Sequence, residues 1–375
     1  MLRIGVLVDL VGRFGRGVLE GVTTFALAHG EIDLVTPPLY GFAQLEEWDQ
    51  WQVDGMVVQV ANLKVVARLK QRKIPAINVS ALLKETGLPT VTIDNLAVGR
   101  MAAEYLMERG FRHMAYIAFG SPAQFSIERG EAFVARLKEA QIDCEIPAAR
   151  NRQELVKWLL TMPRPMGMFT PQDPTAKDIL AACGQAGVSL PEHAALLGCD
   201  NDELIYRRTR PALSSIAVPA EQIGFQATKS LLALINGEKV PAREVFKPLA
   251  VITRESTDVL AVTDEGVAEA LRFIRLNAHK GIRVNDVLNV VSMSRRALER
   301  RFRVALGRTL LSEILRVQLD LAQQLLSETD MQMPEIAERC GFTDATYLGL
   351  AFRKRVGVPP TMYRRQFRSR GGVGG

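Results

Sequence analysis

"CGFTDATYLGLAFRKRVGVPPTMYRR", residues 340–365, reads as a short helix with a firm start and a firm stop. A turn at Gly341, Phe342 and Thr343 leads to Asp344, whose carboxylate suits an N-cap. Leu348, Phe352 and Val356 recur at helical spacing, and Arg353, Lys354 and Arg355 crowd the last turn. Gly357 and the two prolines behind it end the helix. So short a helix, so rich in arginine, needs a reason outside itself.

The reason is a repeat. "VLNVVSMSRRALERRFRVALG" (287–307) lies beside "IAERCGFTDATYLGLAFRKRVG" (336–357). Before the turn the offset is 49, matching Val287 with Ile336 and Val291 with Cys340. After it the offset is 50: Ser294 with Asp344, Leu298 with Leu348, Phe302 with Phe352, Gly307 with Gly357. The extra residue falls in the turn, where the chain accommodates it most easily. Each copy is a helix, a tight turn, a capped second helix and a glycine stop. That is a helix-turn-helix, twice.

A recognition helix must push its first turns into the ~12 Å major groove while its apolar side stays anchored. In the first copy Leu298, Phe302 and Ala305 form the anchor stripe, and Arg296, Glu299, Arg300 and Arg303 face the other way. Arginine forks onto guanine edges, and glutamate accepts from cytosine. With Ser294 and Arg295 at the helix start, these are the first unit's DNA-facing residues. In the second copy that face is Thr346, Gly349, Leu350 and Arg353, which is poor in base readers, although Leu350 suits a thymine methyl. Between the copies "LLSEILRVQLDLAQQLLSE" (310–328) reads as one amphipathic strut, roughly 27 Å long at 1.5 Å per residue. That length suits two recognition helices held about one DNA turn, ~34 Å, apart.

"SRRALERRFRVALG", "LDLAQQLLSETDMQMPEIAERCGF" and "FRKRVGVPPTMYRR" resemble the DNA-binding domain of AraC/XylS-family transcription regulators over about 100 residues. The resemblance implies operator DNA as a partner. The departure is "TYLGLAF", where the family often has a more polar residue at the place of Leu350, so the first unit is expected to dominate base reading.

Charge agrees with this division. From Asp264 onward there are 19 Lys+Arg against 12 Asp+Glu, a net +7, whereas the residues before it hold 28 against 29. A basic final third steers toward a polyanion. Up to about residue 258 the pattern is different. Strand-like runs such as "RIGVLVDL" (3–10), "DGMVVQVA" (54–61), "IPAINVS" (74–80), "HMAYIAFG" (113–120), "MGMFTP" (166–171) and "AALLGCD" (194–200) alternate with helical stretches such as 99–110 and 129–140. Apolar strands alternating with helices predict α/β layers built on parallel sheets, covered on both faces. The expected division is residues 1–258, a boundary near 257–264, a helical domain at 264–368 and a disordered Gly-rich tail at 369–375.

The early glycines of "DLVGRFGRGVLEG" invite a dinucleotide-binding reading, but the acidic residue that should end the second strand is missing, since Asp33 instead precedes "LVTP". "TIDNLAVGRMAAEYLMERGFRHMAYIAFG" (92–120), "ERGEAFVARLKEA" (128–140) and the stretch 195–241 look like the LacI/GalR regulators and their periplasmic sugar-binding relatives. That resemblance implies two α/β lobes clamping a small molecule, here a monosaccharide effector. Sensor first and AraC-type reader last is the arrangement of xylose-operon activators, which the whole chain resembles. Carried onto this sequence, the ligand contacts fall at Asp9, Phe14, Asp94, Asn95, Arg129, Asp173, Asp200 and Asn201. Carboxylates accept from paired hydroxyls, Arg129 donates to sugar oxygens, and Phe14 offers a face for C–H groups. Trp48 and Trp51 read instead as packing onto the sheet.

A cleft lined with carboxylates could host a glycosidase pair, but the chain has no nucleophile elbow, P-loop or metal-spaced histidines. A DNA-bridging protein with a dead sensor is the other alternative. No run reaches about 18 uninterrupted apolar residues. Four scattered cysteines and four isolated histidines have no metal-ligand spacing. The expectation is therefore a cytoplasmic, sugar-responsive activator without cofactor, metal or membrane span. The resemblances add a homodimer, and RNA polymerase as a further partner.

Overall fold

The computed structural model describes residues 1–36, 47–118, 123–258, 262 and 264–367. The tail 369–375 and half of the expected boundary (259–261 and 263) lie outside these residues. The first lobe runs β1 (Leu2–Leu7), α1 (Arg13–His29), β2 (Ile32–Val35), β3 (Gly55–Val58), α2 (Leu63–Gln71), β4 (Ala76–Asn78) and β5 (Thr90–Ile93). The chain then crosses into a second lobe. That lobe begins α3 (Asn95–Glu108), β6 (His113–Tyr116), α4 (Gln124–Glu139), β7 (Cys144–Glu145) and α5 (Arg152–Thr161). It continues β8 (Met166–Phe169), α6 (Asp173–Gln185), β9 (Ala194–Cys199), α7 (Glu203–Tyr206) and β10 (Ser214–Ala217). A return crossing adds α8 (Ala220–Ile235) and β11 (Arg243–Phe246) to the first lobe, and a third adds β12 (Ala250–Ile252) to the second.

Each sheet has six strands, in the orders β11-β5-β4-β3-β1-β2 and β12-β10-β9-β8-β6-β7. Every pairing is parallel except β12 on β10. All four residues of β3 and β8 and all six of β9 are buried, as strands covered on both faces require. The α/β class expected from the alternating pattern and the two lobes implied by the family resemblance are therefore the observed ones. Trp48 is buried in the core under β3 and α2, with Trp51 packed at its edge.

The early glycines serve helix packing. A Cβ on Gly21 would sit 1.9 Å from Glu221 O, and one on Gly224 would sit 2.0 Å from Val18 O. α1 and α8, some two hundred residues apart in sequence, therefore touch backbone to backbone.

The rest is helical: α9 (Glu265–Asn277), a 3-10 turn (Ala278–Lys280), α10 (Val284–Leu288), α11 (Arg295–Leu306), α12 (Leu310–Glu328), α13 (Met333–Arg339), α14 (Ala345–Val356) and α15 (Pro360–Phe367). α12 covers the whole stretch read as a strut. One core joins Val267, Ile274, Leu298, Phe302 and Ile314. A second joins Leu319, Leu326, Ile336, Leu348, Phe352 and Tyr363 to Ala217, Ala250 and Ile252 of the second lobe. α12 thus belongs to both cores and packs against the edge strand β12, which protects an edge that could otherwise pair with another chain. Among the described residues no helix is long and apolar enough to cross a membrane.

Candidate effector cleft and DNA-binding face

A cavity of about 80 Å³ opens between the lobes. Phe14, Gln59, Ser80 and Thr92 line it from the first lobe, and Phe125, Arg129, Gln172 and Asp200 from the second, with Asn95 at the crossing. Most follow the C-terminal ends of parallel strands, where open α/β sheets bind their ligands.

Arg129 is only 3% exposed. Its Nε donates to Asn95 Oδ1 at 2.9 Å and its Nη1 to Pro171 O, while Asp200 Oδ1 lies 3.9 Å from Nη1. Asn95 is held in turn by donating to Glu128 Oε2 at 3.0 Å. Burial pushes the Asp200 carboxyl up to about 6, against the pull of Arg129. A donor fork and a strained acceptor thus face one small space, which is chemistry suited to a polyol.

Four of the eight expected contacts meet at this cavity: Phe14, Asn95, Arg129 and Asp200. The other four are placed elsewhere by their hydrogen bonds. Asp94 caps α3 by accepting from Ala97 N at 2.9 Å. Asp9 accepts from Val11 N at 3.0 Å within its own loop. Asp173 is fully buried, accepting from Ser215 Oγ and Asp202 N at 2.7 Å each. Burial, with Asp200 nearby, pushes the Asp173 carboxyl well up. Asn201 turns away and accepts from Arg254 Nη2 at 2.7 Å. Gln59, Ser80, Phe125 and Gln172 were not anticipated. Reading the first residues past each parallel strand would have found Gln59, Ser80 and Gln172.

At the other end, α11 starts with Ser294 Oγ accepting from Ala297 N and α14 with Asp344 Oδ1 accepting from Tyr347 N. Gly307 and Gly357, at φ 68° and 87°, stop them in the left-handed conformation that glycine adopts without strain. Leu298, Phe302, Leu348 and Phe352 are wholly buried. Arg295, Arg296, Glu299, Arg300 and Arg303 are exposed on α11, as are Thr346, Leu350 and Arg353 on α14. Glu299 is occupied by Arg295 at 2.9 Å, so Arg296, Arg300 and Arg303 are the cations that carry no ion pair with it. Gln318 of α12 donates to Ala278 O and Gly341 O, tying the two units together. Gly341, at φ 76°, allows that contact, since a Cβ there would lie 2.4 Å from Gly281 N.

Residues 103–257 match the periplasmic binding protein-like domain family, and residues 287–366 match a helix-turn-helix domain family. The xylose operon regulatory protein of Escherichia coli strain K12 is 31% identical over 379 residues, covering 96% of each chain. The chain belongs to the xylose operon regulatory protein family. The Haemophilus influenzae member is 31% identical over 332 residues, covering 84% of this chain and 86% of that one. The solved structure of the xylose-binding transcription activator xylR aligns with a TM-score of 0.61 at 30% identity, over 96% of this chain and 97% of that one. This family member is a transcription regulator, with an α/β sensor ahead of its helix-turn-helix pair.

Proposed function

We propose that the regulator is a cytoplasmic, sugar-responsive activator of a sugar-catabolic operon, with xylose or a closely related monosaccharide as effector. The observation that carries this reading is the Arg129–Asp200 pair facing a small cleft between two lobes. Phe14 and Phe125 offer apolar faces beside it, as a sugar's C–H groups require. We take residues 1–258 as the sensor and 264–368 as the reader. Two copies of the chain bind repeated operator sites, and RNA polymerase is the partner that activation requires. The relatives' names support xylose, since they are regulators of xylose operons.

Calorimetric titration of the full chain with a panel of pentoses and hexoses tests the effector. Saturable one-site binding of xylose is expected, and silence across the panel would overturn the sugar reading.

DNA reading follows from the exposed cations of α11. Arg296→Ala and Arg300→Ala should each relax base preference at one position and weaken operator binding by about 1–3 kcal/mol. Arg353→Ala should weaken all sequences alike. A binding-site selection with the opposite pattern would reverse the assignment of the two units.

A further inference from the structure

Arg254 sits where three parts of the molecule meet. It follows β12 and is 6% exposed. Its Nη1 donates to Leu213 O at 2.9 Å and its Nη2 to Asn201 Oδ1 at 2.7 Å. Nε and Nη2 both reach Glu328 Oε1, at 2.9 and 2.6 Å, and the guanidinium stacks 3.6 Å from the Tyr206 ring centroid. Glu328 is the last residue of α12, the strut of the DNA-binding part. One side chain therefore links the loop after β9 to the helix that holds both recognition units.

That loop is well placed to report on the cleft. Asp200 lines the cavity, and Asp200 and Asn201 both have positive φ, at 108° and 53°. A non-glycine pair in this region is strained and persists only where its surroundings fix it. The fixing groups lie beneath: Asn201 N donates to Ser215 Oγ, and Asp202 N donates to Asp173 Oδ2. Asp202 also reaches across to the first lobe, accepting from Arg16 Nη2 at 2.8 Å. Three consecutive residues thus face the effector space, the DNA-binding part and the opposite lobe. Asp200 and Asn201 are consecutive, so a backbone shift at Asp200 acts directly on Asn201.

Beside the apolar packing on β12, two arginine–carboxylate pairs tie α12 to the sensor among the described residues, and they differ. Asp320 is held by Arg109, which is 2% exposed, lies 3.5 Å over the Tyr105 ring and also donates to Thr257 O. The Glu328 end instead borders a cleft of about 320 Å³ lined by Tyr206, Pro219, Ser327 and Asp330. Both arginines are buried, and of the two attachments the Glu328 end is the one that borders this cleft.

We propose that Arg254 is the positioning residue that transmits effector occupancy at Asp200 to α12, through Asn201 and Glu328, while touching neither effector nor DNA. The proposal rests on the sugar-sensing reading above. Coupling of this kind is a difference in operator affinity with and without effector, and it is reciprocal between the two ligands.

The test uses full-length Asn201→Gly, which keeps the positive φ and removes the acceptor, Glu328→Ala, which removes the acceptor of Arg254 Nε and Nη2, and their combination. Xylose affinity is read by calorimetry. Operator affinity is read with and without xylose, on a duplex selected from random sequence by the native chain. Each single variant is expected to bind xylose within twofold of the native chain and to lose at least fivefold of the xylose-induced change in operator affinity. The combined variant should lose no more than the worse single one, because both cut one path. Losses that multiply, a loss below fivefold in either variant, or xylose affinity altered more than twofold would overturn the assignment. A native chain that binds xylose without changing its operator affinity overturns the coupling alone. A native chain that does not bind xylose overturns the sugar reading with it.

Discussion

An Arg316→Met chain is expected to lose about 3–5 kcal/mol of unfolding free energy at pH 7, read by chemical denaturation of the full chain. Arg316 is 6% exposed, in the middle of α12. Its Nη2 donates to Glu313 Oε1 and its Nη1 to Asp320 Oδ2, each at 2.6 Å. Glu313 is 1% exposed and is otherwise held by Arg308 Nε at 2.6 Å. Burial acts to raise the Glu313 pKa, but Arg316 and then Arg308 outweigh it and hold the carboxyl at about 2, below its ordinary 4.5. Methionine would leave a buried carboxylate with half its compensation.

The folded pKa is depressed, so Glu313 contributes stability that is fully present above about pH 4.5 and is lost as pH falls through about 2. The gap between native and variant chains should therefore be full at pH 7 and narrow between those limits. Glu313→Gln combined with Arg316→Met should cost less than Arg316→Met alone, because the buried carboxylate is gone, the more exposed Arg308 is the cation left without it, and Asp320 keeps Arg109. A gap below about 1 kcal/mol at pH 7 would mean that water reaches these groups and screens them.

Asp200→Asn should weaken xylose binding about 100-fold at pH 7.5, the worth of one or two charge-assisted hydrogen bonds in a closed site. The same change should stabilise the unliganded chain. Burial raises the Asp200 pKa from 3.8 to about 6. A raised carboxyl costs nothing while protonated in both states, and costs progressively more as pH climbs from about 4 to 6. Relative to the native chain, the variant should gain up to about 3 kcal/mol by pH 7. Asparagine also tolerates the positive φ of this position. The native chain should bind xylose about tenfold more weakly at pH 5 than at pH 7, because only about one Asp200 in ten is then ionised. Calorimetry across that range, with denaturation of both chains, reads all three effects. A pH-independent affinity, or a variant less stable at every pH, would remove Asp200 from the effector site. The cleft trades stability for a receptive acceptor, a common arrangement at binding sites.

The helix-turn-helix pair was legible because everything that defines it is local. Ser294 and Asp344 cap, Leu298 and Phe302 repeat at helical spacing, and Gly307 and Gly357 stop; each signal spans less than four turns of chain. The α/β class was legible for the same reason, since apolar strands covered on both faces leave a run in the sequence. The candidate cleft was half legible. The family resemblance and the strand-end rule pointed to Asp200 and Arg129, but a strand end does not say which way the next side chain turns. At Asp200 and Asn201 the positive φ values send neighbouring residues in opposite directions, one to the cleft and one to Arg254. Asp173, polar and at a helix start, was drawn beneath the loop by Ser215 and the backbone of Asp202, residues about forty and thirty positions away.

The early glycines show the same limit, because their purpose lies in α8, which the chain reaches only after building the second lobe. By itself the sequence determined the elements, their order and the basic reading face, all consequences of periodicity, capping and composition. Only the tertiary structure decided which polar residues meet, because three crossings between the lobes and the docking of α12 on β12 bring together groups whose separation in sequence carries no local signal.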